Sequence, residues 1–404
     1  MSVKRGSVIC VAALMVGLGL SGCASTDPRV QYTSEEAVAA EIPGMSNVRF
    51  YADGPAADFA RFRRDVFAAA AARHEPVTFL ALSSGGSDGA YGAGFLKGLS
   101  ESHQRPQFTI VSGVSTGALM APFAFLGPAY DGTLEDLYTS GYAASLVKDV
   151  SVINGLLGNA LVDSDRLGHL IARYVTPEIM AAVAAEHRKG RRLIVVTTNL
   201  DAQRSVIWDM GAIATSGSPN ALSLFRQVLA ASASIPALFP PRLIKVEAGG
   251  HEFQEMHVDG ATLRQVYVAP DEIIFGSGRG KDGSQFKDLY VLVNNKISPS
   301  FQVIDNDTVS VAARALSTIL KREGRNNVLS SYAYAVSHGI GYHLSYIGAD
   351  VPDVPSGDAK AQFSTTYMRD VFARGLAQGR MPSPWVGRPP LVQDPGAAAL
   401  TAAR

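Results

Sequence analysis

Three short segments combine residue types and spacings that can do chemistry. The first is Ser112-Gly113-Val114-Ser115-Thr116-Gly117, a G-x-S-x-G between a strand-like apolar run and the apolar stretch Ala118 to Leu126. A serine so placed reads as a nucleophile elbow: it sits on a strained strand-to-helix turn, and its neighbours two residues away must lack bulk. Gly113 and Gly117 meet that requirement. The helix N-terminus behind Ser115 favours negative charge developing there. The second segment, Ser83-Ser84-Gly85-Gly86-Ser87-Asp88-Gly89, also lies between a strand pattern and a helix pattern. Its glycines let backbone N–H groups converge on an anion, as an oxyanion hole or a phosphate nest. No Gly-Lys-Ser/Thr follows, so it is not a P-loop, and no G-x-G-x-x-G register fits, because Ser84 stands where the first glycine belongs. The third segment is His257-Val258-Asp259-Gly260-Ala261; taken alone, its Asp-Gly is a turn signal.

In this order the three segments resemble the patatin-like phospholipases. Val195 to Asp209 is similar to that family's central strand pair, and Ala231 to Pro241, with Ser234-Ile235-Pro236 and Phe239-Pro240-Pro241, to its Ser-Ile-Pro…Phe-Pro-Pro block. The resemblance spans about residues 76–270. It implies an α/β protein of three layers, α/β/α, around a mostly parallel central sheet. It also implies a Ser–Asp dyad that hydrolyses acyl esters through an acyl-enzyme, with no cofactor. Carried over by residue, Ser115 is the nucleophile, Asp259 the base, and Gly85, Gly86 and the N–H of Ser87 the oxyanion hole.

Two residues depart from the pattern. Ser84 stands where the family usually has Gly, and Asp88 where it usually has Arg or Lys. A carboxylate 4 Å from a developing oxyanion opposes it by roughly 4 kcal/mol at an effective dielectric of 20. Asp88 must therefore either point away, as by capping the following helix, or slow turnover. A buried Asp with its pKa raised by desolvation can act as base without histidine. The eight histidines keep a Ser–His–Asp triad open, with His338 and His343 in the order Ser…Asp…His, while His257 is expected to be structural. Two alternatives thus stand beside a phospholipase A or lysophospholipase: an α/β-hydrolase esterase with a triad, and a weakly active lipoprotein that binds lipid or a partner.

These segments need elements to position them. Val77–Leu82 is a near-continuous apolar run, as in a strand buried on both faces. Phe108–Val111, Leu193–Thr197 and Leu289–Val293 read the same way, with helical stretches between them, which is the rhythm of a parallel sheet. A helix is expected from Asp58, with Phe59, Phe62 and Val66 on one stripe, and another over Val309 to Lys321. The expected organisation is a lipoprotein signal peptide (1–22), an N-terminal tether and helix (23–75), a catalytic core (76–270), a C-terminal part of the catalytic domain (271–380) and a poorly ordered Pro/Ala-rich tail (381–404).

Across 404 residues, 36 Lys+Arg balance 36 Asp+Glu. That leaves no basic field for a phosphate backbone, so no nucleic-acid partner is expected. No His/Cys/Asp grouping has metal-ligand spacing, and no metal is implied. At the N-terminus, Lys4 and Arg5 precede an uncharged run from Val8 to Leu20. This is shorter than the ~20 residues that span a bilayer and fits the apolar core of a secretory signal. Leu20-Ser21-Gly22-Cys23 resembles a bacterial lipobox, implying cleavage before Cys23 and its acylation. Cleavage also removes Cys10, so one thiol remains and no intramolecular disulfide can form. Ala24, where an Asp would argue for inner-membrane retention, points by the same resemblance to the outer membrane. The expectation is an envelope lipoprotein facing the periplasm, held in the bilayer through Cys23 and acting on membrane lipids; no protein partner is legible.

Overall fold

The computed structural model describes residues 29–147, 164–236, 238–269, 286–351, 354 and 359–390. The signal segment, Cys23 and most of the 271–286 loop lie outside the described residues. The strands are β1 (Arg49–Tyr51), β2 (Val77–Leu82), β3 (Ile110–Val114), β4 (Arg192–Asn199), β5 (Arg204–Asp209), β6 (Arg242–Ala248), β7 (His251–Asp259), β8 (Phe286–Val293) and β9 (Gly341–Tyr346). They form one sheet in the order β1-β5-β4-β3-β2-β8-β9, and the β6–β7 hairpin joins through β7 to β4. From β4 to β9 every neighbour on this path is parallel; β1, β5 and the hairpin are antiparallel.

Every residue of β2, β3 and β4 is buried, because helices cover both faces and alternate side chains enter opposite layers. Leu80, Leu82, Val111, Leu193 and Val195 enter one apolar cluster. Phe79, Ala81, Ile110, Ile194 and Val196 enter the other. The first layer includes helices α3 (Gly89–Glu101), α4 (Thr116–Leu126), α5 (Ala221–Ser232) and α7 (Thr365–Gly379), after the N-terminal α1 (Ser34–Ala39). The second is built from α2 (Ala56–Arg73) and the C-terminal part of α6 (Thr308–His338). This is the three-layer α/β/α architecture that the resemblance implied.

Three segments differ from the sequence reading. The N-terminal tether is structured over 29–57: β1 adds to the antiparallel edge through β5, and Arg49 makes a buried ion pair with Glu255. The helix expected over Val309 to Lys321 continues to His338, where its apolar residues meet the sheet. Residues 381–390, assigned to a poorly ordered tail, are packed. Trp385 lies edge-on to Phe95 (4.7 Å) and Tyr290 (5.1 Å), and Val386 bridges to Leu344.

Candidate active site

Strand exchange at β4 brings two distant acid–base groups together. β3 ends at Val114, paired with Val196, and the chain then turns at Ser115 into α4. From Thr197 onward β7 replaces β3 beside β4, with Asp259 opposite Thr197. The last residue of β7 therefore lies just past the end of β3. There the Ser115 hydroxyl donates to Asp259 Oδ2 at 2.6 Å.

Both residues are fixed by their backbones. Ser115 has φ 57° and ψ −122°, a strained conformation for a residue with a Cβ. Its amide donates to Ser232 Oγ at 3.0 Å, and the Ser232 hydroxyl donates to the Val196 carbonyl at 2.7 Å. A Cβ at Gly113 would overlap the Gly117 carbonyl, and one at Gly117 the Leu82 and Ser83 carbonyls, so the turn closes only with glycine at both positions. The Asp259 amide donates to the Ser234 carbonyl at 3.0 Å, and its Oδ1 accepts from the Ala261 amide at 2.8 Å. Ser232 and Ser234, at the end of α5, thus position Ser115 and Asp259 respectively.

Asp259 is 2% exposed. Desolvation raises its pKa to about 7, against the pull of the Ser115 hydroxyl and the Ala261 amide. Burial disfavours the carboxylate because water no longer solvates its charge, and two hydrogen bonds recover only part of that loss. A carboxyl so tuned can take a hydroxyl proton near neutral pH and return it.

Gly86, at φ 58°, and Ser87 line the same apolar pocket as Ser115, whose walls include Leu119, Tyr138, Phe239, Phe363 and Met368. Gly85 packs behind them, where a Cβ would overlap the Asn294 carbonyl. The departure at Ser84 is built into the turn. Its amide donates to the Gln265 carbonyl at 3.0 Å and its hydroxyl to Gln265 Oε1. Gln265 Nε2 in turn donates to the Ala261 carbonyl at 3.1 Å. Ser84 and Gln265 thereby tie the glycine turn to the segment that follows Asp259. Asp88 does not cap α3, since its side chain makes no cap bond. Instead Asp88 Oδ1 accepts from the Tyr367 hydroxyl on α7 at 2.7 Å.

Among the described residues no histidine hydrogen-bonds to Ser115 or Asp259. His257 is buried, and burial lowers its pKa against the pull of Glu255. Its Nδ1 lies 2.9 Å from Thr197 Oγ1, which accepts from Trp208 Nε1, and its Nε2 lies 3.0 Å from Glu255. Desolvation alone would raise Glu255, yet His257 and Arg49 bring it down to about 2. His343 lies on β9, stacked on Tyr290 and 2.9 Å from Asp288. His338 ends α6, with Nδ1 2.9 Å from the Tyr334 carbonyl.

The positioning roles of Ser232, Ser234 and Gln265 were not legible in the sequence, because each acts through a contact to residues far along the chain. Only the Ser232 to Ser234 segment had a signal, its similarity to the Ser-Ile-Pro block. A serine hydroxyl bonded to a buried carboxyl beside an apolar pocket can support acyl transfer from a lipid.

The family model described as patatin-like phospholipase matches residues 80–270. No curated protein matches. Among solved structures, the crystal structure of VipD from Legionella pneumophila is similar at 13% identity and a TM-score of 0.29, covering 75% of this chain and 67% of that one. The family match includes both Ser115 and Asp259, with the turn that faces them. Residues 80–270 are thus a patatin-like phospholipase domain.

Proposed function

We propose that this chain is a serine lipid acyl hydrolase of the phospholipase A or lysophospholipase type, working through a Ser115–Asp259 dyad. The observation that carries the reading is the 2.6 Å hydrogen bond from Ser115 Oγ to an Asp259 carboxyl raised to about 7. Asp259 takes the hydroxyl proton as Ser115 Oγ attacks the ester carbonyl. The amides of Gly85, Gly86 and Ser87 face the developing oxyanion, and the acyl chain lies in the apolar pocket. Asp259 then protonates the departing alcohol, leaving an acyl-enzyme. Water attacks that ester in the second half, giving its proton to Asp259, which returns it to Ser115 Oγ as the C–Oγ bond breaks and the fatty acid leaves.

Ser115→Ala should lose all fluorophosphonate labelling and all release of fatty acid from a defined phospholipid mixture, read by mass spectrometry, while keeping its cooperative melt. Label that persists and maps to Ser84 or Ser87 would move the nucleophile and sink the assignment.

The same proposal includes an envelope address. The chain is a bacterial lipoprotein anchored through acylated Cys23, in the outer membrane and facing the periplasm; the lipobox-like Leu20 to Cys23 supports it. Cys23→Ser should end labelling by a palmitate analogue and release the protein from the membrane fraction. Full labelling of that variant would overturn the anchor.

A further inference from the structure

The most exposed apolar side chains of the described surface are Phe301, at 91%, and Val303, at 82%. Both sit on the segment that leaves the C-terminal end of β8. On α6 Val311, Leu316 and Ile319 are exposed as well. Val311, Ala315 and Ile319 recur at four-residue spacing, so one helix face turns apolar groups to solvent. The segment bearing Phe301 is pinned to that helix: Arg314 donates to the Ser300 carbonyl at 2.5 Å and Lys321 to Ser300 Oγ at 3.0 Å.

The position of this face in the fold matters. α6 carries the chain from the C-terminal end of β8 to the start of the parallel strand β9, so it runs against the strand direction. Its buried side chains are Val328, Ser331, Tyr334 and Ala335. Just before them, Asn327 Oδ1 accepts from the Gln265 and Val266 amides at 2.9 and 3.0 Å, and Gln265 holds Ser84 at the C-terminal end of β2. Asn327 therefore marks the sheet edge at which Ser115 turns. The helix from Thr308 to Asn326, about 28 Å at 1.5 Å per residue, stands beyond that edge. Together with the segment that bears Phe301 it carries Arg314, Lys321, Arg322 and Arg325 against Asp305, Asp307 and Glu323, with all four bases on the helix, in a chain whose net charge is zero. Among the described residues no helix is long and apolar enough to cross a membrane, and the stripe is one helix face wide.

We propose that this arm docks on the anionic surface of a lipid bilayer, with Phe301, Val303, Val311 and Ile319 entering the boundary between headgroups and acyl chains. The apolar face supplies buried area and the basic residues supply attraction to anionic lipid, the two terms that hold an interfacial helix. The proposal rests on the lipid-hydrolase reading for its substrate, since the arm rises from the edge that holds the site.

The test uses the full chain with Cys10 and Cys23 replaced by serine and Ile319→Cys carrying a polarity-sensitive fluorophore. A matched chain carries the label at Val38→Cys, on an exposed helix of the N-terminal region. With vesicles of phosphatidylcholine and phosphatidylglycerol, the label at 319 should shift to the blue and the label at 38 should not; phosphatidylcholine alone should give a smaller shift. An unchanged spectrum at 319, whether or not the protein sediments with the vesicles, overturns the proposal. So does a shift that needs no vesicles and grows with protein concentration, which would make the face a contact between copies. The measurement needs no turnover, so a blue shift kept by a chain that hydrolyses nothing leaves the docking standing and removes the hydrolase reading. In an active chain, Ile319→Asp should lower hydrolysis of vesicle phospholipid about tenfold and leave a water-soluble short-chain ester within about twofold.

Discussion

The fold makes a charge on Asp259 expensive, which is the property that the proposed base needs. Its carboxyl is buried and titrates near 7, so the acid limb of kcat/KM should follow it, with activity falling as pH drops below about 7. Asp259→Asn should cost about 10²–10⁴ in kcat, while His257→Ala, which breaks a network facing Glu255 and Thr197, should keep kcat within about tenfold. The same pKa fixes a sign for stability. The folded chain holds this proton up to about 7, whereas the unfolded chain releases it near the ordinary aspartate value of 3.8. Between those values the folded state binds more protons, so this group's contribution to stability is full below the unfolded pKa and is lost as pH rises through the folded one. Asparagine has no charge to desolvate. Asp259→Asn should therefore melt above the wild type at about pH 8, and the gap should close toward about pH 4. Equal melting at both ends would mean that the carboxyl is not held neutral by burial.

At the scale of elements, glycine decides how closely α3 and α7 approach. Gly94 and Gly98 on α3 face α7, and Gly375 and Gly379 on α7 face α3. A Cβ at Gly94 would overlap the Phe372 carbonyl, and one at Gly375 the Tyr91 carbonyl. Backbone against backbone leaves no flexible side chain to yield. Gly375→Ala should therefore destabilise the fold by about 1–3 kcal/mol, the usual cost of overpacking. Because α7 carries Met368 and Tyr367, it should also disturb the pocket and the tie to Asp88. Unchanged melting and unchanged fluorophosphonate labelling would show that the helices separate at no cost.

What could be read beforehand follows from the same physics. β2, β3, β4 and β8 announced themselves as apolar runs because both faces of most of them are covered. The β6–β7 hairpin did not, because Glu255 and His257 occupy its buried face and break the apolar alternation. Ser115 was legible because the elbow needs glycines at fixed local spacing. Asp259 became legible only beside the other two segments, since its partner is fixed by strand pairing and not by neighbours in sequence.

For the whole molecule, the matched domain is not a self-sufficient body. Residues 80–270 supply β3, β4, β5, β6, β7 and half of β2, but β2 pairs on its other side with β8, and β8 with β9. Removing them would open a fully buried, mostly apolar strand as a new sheet edge, which is a template for aggregation. The pocket has the same dependence, since Phe363 and Met368 on its wall come from beyond the matched region. A chain ending after Phe363 tests this dependence while keeping all nine strands of the sheet. It loses α7, so Gly94, Gly98 and the apolar face of α3 lose their cover, together with Val371 and Phe372 from the first core layer. The lost burial includes several large side chains at about 1.5–3 kcal/mol each, a sum comparable to the 5–15 kcal/mol that holds a typical domain folded. The truncated chain should aggregate, or should bind a dye for exposed apolar surface and melt without cooperativity, and fluorophosphonate should no longer label Ser115. A soluble truncated chain with a sharp thermal transition and wild-type labelling would show that α7 is an accessory and not part of the catalytic body.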